Sequence, residues 1–297
     1  MKVLITGAAG MLGHDVAAAA DAVHHEVAAL TREELDITDE YAVKAAFDRE
    51  LPQAVVNCAA FTDVDAAETD EDTAHLINAT GAGIVAAAAA AVGAKVVYPS
   101  TDYVFDGLKG ELYDEADAPN PRSAYGRTKL AGEIATAEAN PRNMIVRSSW
   151  LFGMHGPNFV ETMLSLAERQ SEVLVVRDQV GCPTYTAQLA HAIVDLLDYE
   201  TLGLMHIAGG EYCSWYDFAR EIFRQSQLEM VVLSGTSDML DRPAPRPAFS
   251  ALATRREDVP LLPRWDHGLH AYLAERVAQV GLPDETGPST AADWNTP

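Results

Sequence analysis

The chain has 297 residues, 48% of them hydrophobic, enough for a large core and one or two domains. Its 44 acidic residues against 21 basic ones give a net charge of −23, and only five bases are lysines (Lys2, Lys44, Lys95, Lys109, Lys129). With no basic stripe to neutralise phosphates, the composition argues against nucleic-acid binding. The longest apolar run, Ile84 to Val92, falls short of the roughly 20 residues a bilayer span needs, which argues against a membrane partner. Met1-Lys2 leads straight into the first strand, leaving no room for a signal peptide. Cys58, Cys182 and Cys213 are scattered thiols without metal-like spacing. Together these features predict a cytoplasmic protein without a metal motif. The acidity suits a salty cytosol, where salt screens self-repulsion; lineage bias towards Asp, Glu and Ala is the alternative.

Along the chain, short apolar runs alternate with helical patterns, the signature of a parallel α/β sheet. Strands are expected at Val3–Ile5, Glu26–Leu30, Ala54–Asn57, Lys95–Tyr98 and Asn143–Arg147. Helices are expected at Met11–Ala22, Glu40–Glu50, Glu71–Val92 and Ala124–Ala139. Right-handed crossovers wind such units into a doubly wound, Rossmann-type sheet, with ligands at the strands' carboxyl ends. Beyond Trp150 the pattern is less regular. Helices are expected at Phe159–Gln170, Ala187–Leu197, Trp215–Ser226 and Leu269–Val280, and strands at Val173–Val176, Leu204–Ala208 and Met230–Leu233. The expected organisation is a dinucleotide-binding domain over 1–150 and a smaller C-terminal substrate-binding region over 151–281. Some strands of that region can return to the main sheet. A polar, Pro/Gly/Ser/Thr-rich tail over 282–297 reads as disordered.

The glycines of Gly7-Ala8-Ala9-Gly10-Met11-Leu12-Gly13 lie between the first strand and the first helix. Such a turn lets backbone N–H groups and a helix N-terminus approach a pyrophosphate. After the second strand, Asp36 suits an adenine amino group, while Asp39 is the better cap for the helix that follows. The second strand ends Leu30-Thr31-Arg32 without the acid that would hold a free ribose 2′-hydroxyl. Arg32 instead matches a 2′-phosphate, favouring NADPH; Glu33 or Glu34 turned inward would favour NADH. Small residues at Asn57-Cys58-Ala59-Ala60-Phe61 let backbone approach a cofactor, or simply pack tightly.

The fourth strand opens into Ser100-Thr101-Asp102-Tyr103, and downstream stands Tyr125-Gly126-Arg127-Thr128-Lys129. Tyr125 and Lys129, four apart on a helix, share one face. A free tyrosine has a pKa of about 10; Lys129 and an oxidised nicotinamide would both lower it. Tyr125 then serves as a proton donor matched to an arriving hydride. Thr101 would hold the substrate oxygen, and Lys129 the nicotinamide ribose.

These residues resemble the extended short-chain dehydrogenase/reductase superfamily and, within it, the dTDP-4-dehydrorhamnose reductase family. The narrower likeness rests on Ser100 to Gly107, Tyr125 to Glu133, Arg147-Ser148-Ser149-Trp150 and Asn158-Phe159. It continues through Asp178 to Thr184 and Arg246-Pro247 with Ser250 and Leu252. The resemblance implies NADPH-dependent reduction of a 4-keto nucleotide sugar, with Thr101, Tyr125 and Lys129 catalytic. It also implies that Thr101, Asp102, Tyr103 and Trp150 contact the sugar, and that Gly10, Met11, Leu12, Asp36, Ile37, Ala59, Ala60 and Phe61 line the cofactor. Met11 and Phe61 depart from the Gln and His common there. Trp150 reads either as a sugar platform or as a structural aromatic between the halves. Arg246, in a proline-fixed segment, reads either as a grip on the substrate's diphosphate or as a surface charge. Certain family members dimerise through Mg²⁺ bound by glutamates; no motif here carries Mg²⁺ over, and a homodimer stays open. The alternatives are a reductase of another nucleotide-linked 4-ketohexose and a non-catalytic regulatory subunit like that of methionine adenosyltransferase.

Overall fold

The structure is a computed structural model that describes residues 1–280; the expected tail over 282–297 lies outside the described residues. In chain order the first half runs β1 (Lys2–Thr6), α1 (Met11–Ala22), β2 (Glu26–Leu30), α2 (Glu40–Glu50), β3 (Ala54–Asn57), α3 (Val64–Thr69), α4 (Glu71–His75), α5 (Ala82–Ala91), β4 (Lys95–Thr101) and α6 (Ala124–Ala139). The second half runs β5 (Asn143–Ser148), β6 (Leu151–Phe152), α7 (Phe159–Ala167), β7 (Glu172–Val176), β8 (Val180–Gly181), β9 (Thr184–Tyr185), α8 (Thr186–Leu197), β10 (Gly203–His206), β11 (Cys213–Ser214), α9 (Trp215–Gln225), β12 (Val231–Gly235) and α10 (Trp265–Val280).

Six parallel strands form the central sheet in the order β10-β5-β4-β3-β1-β2. Its strands are apolar on both faces because helices cover both. In β1, Val3 and Ile5 face a cluster that holds Val16 and Ala20 of α1 with Leu189 and Ile193 of α8. Leu4 points the other way, to Val43 and Phe47 of α2 and Val85 and Ala89 of α5. The second half therefore supplies one covering helix and, through β10 beside β5, one edge of the sheet. A separate core gathers Phe152, Tyr185, Phe218, Leu269 and Tyr272 around α7, α9 and α10, with β7 and β12 paired alongside.

The chain's winding reverses between β1 and β3, which places a crevice over the strands' carboxyl ends there. Polar residues crowd that edge: Thr6 donates to Asn57 (2.6 Å), and Thr101 pairs in register with Ser148.

Two features were silent in the periodicity. The expected helix Glu71–Val92 is interrupted by a π-helical turn over Leu76–Gly81, and the short α3 precedes it. By length and composition the stretch Glu71–Ala91 is apolar enough to cross a bilayer, yet Ala74, Ala82, Val85, Ala86 and Ala89 are buried in this fold. The signal for α3 was Asp63, whose carboxylate accepts from Ala66 N–H at 2.9 Å.

Asp39 caps α2, accepting from Ala42 N–H at 3.0 Å. Asp39→Ala should lower unfolding stability by about 1 kcal/mol, since the first-turn donor loses its partner. An unchanged urea midpoint would show that the cap contributes nothing.

Candidate active site

The glycine turn is built for close approach. Gly7 has φ +63°, and a Cβ there would sit 2.6 Å from Ala59 N, so only glycine lets this turn lie against the residues after β3. Gly10, the residue before α1, offers no side-chain cap, and no acid occupies the first turn. The first N–H groups of α1 are thus left for a ligand, and the helix dipole favours an anion there. These features fit a dinucleotide pyrophosphate. Met11 lines the cradle under Gly153 and Gly156, and His14 stacks on His155 at 3.4 Å between centroids, tying loop 153–158 to α1.

The other expected cofactor residues divide by burial. Leu12 (8% exposed) and Ile37 (3%) turn their side chains into the core, so only their backbone can meet a ligand. Arg32 is exposed past β2. Asp36 is exposed and accepts from Thr38 N–H (2.9 Å) and Thr38 Oγ1 (2.7 Å). Those bonds, helped by Arg32, hold its carboxyl below the usual range. Ala59, Ala60 and Phe61 are half-buried beside the glycine turn. Phe61 is fixed by a residue that pattern reading missed. Asn78, in the π turn, accepts from Phe61 N–H (2.8 Å) and donates to Phe61 O (3.0 Å) and Thr128 Oγ1 (3.0 Å). Asn78 thereby couples the cofactor-side loop to α6. A π turn inside a helix often marks a functional position, but it leaves no trace in the apolar pattern, so nothing in the sequence singled Asn78 out.

Helix α6 carries Tyr125 and Lys129. Its N-terminus is held by Ser123, which accepts from Gly126 N–H (3.1 Å), and by Glu68, which accepts from Ala124 N–H (2.7 Å). A Cβ on Gly126 would lie 2.2 Å from the Tyr103 carbonyl oxygen, so glycine here lets the helix seat Tyr125 against the turn after β4. Tyr125 stands edge-on to Tyr103 (5.7 Å between centroids) and beside Thr101 and Asp102. Burial, and then the Asp102 charge, push its phenol up to about 12, against a smaller opposing effect of Thr101. The expected depression of the phenol by Lys129 does not appear in this site: burial sets the value, and Tyr125 keeps its proton at neutral pH. Lys129 is 4% exposed, donates to the Pro99 carbonyl at 2.7 Å and lies 4.0 Å from the Tyr98 ring centroid. Burial brings its ammonium down to about 7, opposed by Glu133.

Asp102 is 2% exposed and bonded to Thr101 Oγ1 and to Ser250, which reaches in from 148 positions downstream. Burial raises its carboxyl to about 7.

Trp150 sits at φ +49°, an unfavourable backbone for a bulky residue. Its ring stacks on Trp215 (3.6 Å, 4° between planes) and abuts Gly181. Of the two readings left open for Trp150, the structural partner is present. Arg246 is not the surface charge of its second reading. Its side chain is only 12% exposed, and it grips Asp65 of α3 with two bonds (3.1 and 2.7 Å) while Ala244 N–H donates to the same carboxylate. Asp65 and Arg246 therefore clamp the proline-fixed segment to the first half. Arg242 lies close enough to both for its charge to be felt.

Comparison with known proteins agrees with this geometry. Residues 1–277 match the family described as RmlD substrate binding domain. The chain is 42% identical to a dTDP-4-dehydrorhamnose reductase of known structure from Clostridium acetobutylicum, covering 93% of this chain and 99% of that one with a TM-score of 0.91. It is 38% identical to the dTDP-4-dehydrorhamnose reductase from Bacillus anthracis solved in complex with NADP, covering 92% and 99% with a TM-score of 0.90. It is also 45% identical to the dTDP-4-keto-6-deoxy-D-glucose reductase of Streptomyces niveus, over 74% of this chain and 77% of that protein.

Gly126→Ala should separate α6 from the Tyr103 carbonyl and cost about 1–3 kcal/mol of stability. Turnover should fall at least tenfold even where the protein stays folded, because Tyr125 shifts with the helix. Wild-type turnover in the variant would show that this close approach does not position Tyr125. On sequence, cradle and comparisons alike, the chain belongs to the dTDP-4-dehydrorhamnose reductase family and is an NAD(P)H-dependent oxidoreductase of Rossmann fold.

Proposed function

We propose that the protein reduces the 4-keto group of dTDP-4-dehydro-L-rhamnose to give dTDP-L-rhamnose, with Tyr125 as proton donor. The observation that carries this reading is the meeting of Tyr125, Thr101 and Lys129 at the carboxyl edge of the sheet, next to the glycine cradle. NADPH, held by the turn Gly7–Leu12, Arg32, Asp36 and the loop Ala59–Phe61, supplies the hydride when bound. Thr101 Oγ1 orients the ketone oxygen. Tyr125, protonated because it is buried, gives its proton to the oxygen as negative charge develops there. Lys129 holds the nicotinamide ribose and stabilises the phenolate left behind. Asp102, Tyr103 and the Trp150–Trp215 stack wall the sugar, and Arg246 with Arg242 supplies positive charge towards the diphosphate in a chain otherwise strongly acidic. The 45% identity to a D-glucose-series reductase supports a second reading, in which another 4-keto nucleotide sugar is the preferred substrate.

Adding dTDP-4-dehydro-L-rhamnose to enzyme and NADPH should oxidise the cofactor faster than other nucleotide-linked 4-ketohexoses do. Tyr125→Phe should remove about 10²–10⁴-fold of that turnover and leave NADPH binding nearly intact. Near-wild-type turnover in a clean preparation of that variant would end the proton-donor assignment.

Arg32→Ala should weaken NADPH binding by roughly 1.5–3 kcal/mol, the scale of a charged hydrogen bond, and leave NADH binding unchanged. Equal losses for both cofactors would make Arg32 a structural residue.

A further inference from the structure

Two residues of the family-like motifs have no part in the reaction above: Glu133, four positions beyond Lys129 on α6, and Arg147 on β5. Both are buried, at 5% and 2% exposure. Arg147 Nε donates to Glu133 Oε1 (2.8 Å) and Nη2 to Oε2 (2.7 Å), while Ser100 Oγ donates to Oε1 (2.5 Å). The guanidinium also stacks over the Phe105 ring, 5.1 Å from its centroid. Among the described residues Arg147 Nη1 has no partner. A buried ion pair costs desolvation comparable to what its attraction returns, so it is weak evidence for stability alone. Its place directly behind the reacting lysine points to another role.

We propose that Glu133 is a positioning residue for the reaction: clamped by Arg147 and Ser100, its carboxylate keeps the neighbouring Lys129 ammonium charged and aimed past Pro99 towards the cofactor.

Few charges share this dry space. Lys129 faces the Cys58 thiol after β3, the Tyr98 ring and Pro99 carbonyl of β4, and Glu133 of its own helix. Burial holds Cys58, Tyr98 and Tyr125 in their neutral forms at neutral pH. Arg147 faces His206 on β10, which burial also holds towards its neutral form. Glu133 is thus the carboxylate shared by two buried cations. Arginine does not give up its proton in proteins, whereas buried lysine does. Removing the Glu133 charge leaves Lys129 as the group that must discharge. Removing the Arg147 charge leaves Glu133 wholly to Lys129 and strengthens its hold on the proton. The lysine already sits near the edge, brought down by burial to about 7 with Glu133 opposing. It is charged below that value and neutral above it.

The inference rests on the reading of Lys129 as a cofactor-binding group, and its test separates the two. With five lysines in the chain, ¹⁵N/¹³C-lysine labelling resolves each side chain by NMR, Lys129 being assigned from Lys129→Arg. In the wild type the Lys129 signal should titrate near neutrality. Glu133→Gln, which keeps the shape, should move that midpoint down by at least one pH unit, and Arg147→Met should move it up. Glu133→Asp should restore most of the wild-type behaviour. NADPH affinity, followed by fluorescence titration across pH, should lose its strength at correspondingly lower pH in Glu133→Gln and higher pH in Arg147→Met. An unmoved Lys129 midpoint in folded Glu133→Gln, or shifts of the same sign in both variants, overturns the proposal. Should Glu133→Gln fail to fold, a midpoint that stays put or falls in Arg147→Met overturns it equally. Opposite NMR shifts with pH-independent NADPH affinity would support the role of Glu133 and instead remove the ribose reading of Lys129.

Discussion

The site depends on one desolvated lysine. An ammonium taken out of water must find its partners in the protein, and Lys129 finds them in the Pro99 carbonyl and the face of Tyr98. Both belong to β4, so α6 has to lie close to that strand. Close approach in turn demands a glycine: a Cβ on Gly132 would lie 2.2 Å from the Tyr98 hydroxyl. It also demands a tether on the far side, and the Tyr98 hydroxyl supplies one by donating to the Asn78 carbonyl at 2.8 Å. Asn78 then fixes Phe61 on the cofactor side and Thr128 on α6. Strand, π turn and helix are locked around the lysine, and Tyr125 is presented as a consequence.

The walls of the cleft come from both halves of the chain. Ser250 reaches Asp102, Arg246 reaches Asp65, Trp215 covers Trp150, and His155 lies on His14. Each contact joins the carboxyl edge of the sheet, or the helices next to it, to a loop or helix of the second half. This arrangement answers a problem set by composition. A chain with net charge −23 must gather positive charge locally to accept a nucleotide diphosphate. Two arginines of the proline-fixed segment, Arg242 and Arg246, bring positive charge together against α3, the second of them held by Asp65.

Much of the first half was legible because it is local. Both faces of the sheet are buried, so its strands read as continuous apolar runs, and the helices between them carry caps such as Asp39 and Ser123. The glycine turn and the Tyr125–Lys129 spacing are likewise short-range patterns with a mechanical reason. What stayed hidden is non-local or aperiodic. The π turn leaves the apolar pattern of its helix unbroken, so Asn78 carried no signal. The Asp65–Arg246 clamp spans 181 positions, and the stack of Trp150 on Trp215 joins rings 65 positions apart. The phenol of Tyr125 is a related case: spacing places Lys129 one turn away, whereas burial, which sets the phenol here, is a property of the whole fold.

The most direct measurement is a crystal structure with NADP⁺ and dTDP-L-rhamnose bound together. The sugar's 4-hydroxyl oxygen should lie about 3 Å from both Tyr125 Oη and Thr101 Oγ1, with the carbon that bears it facing the nicotinamide. A sugar seated with that oxygen on another proton donor, and Tyr125 bonded elsewhere, would contradict it.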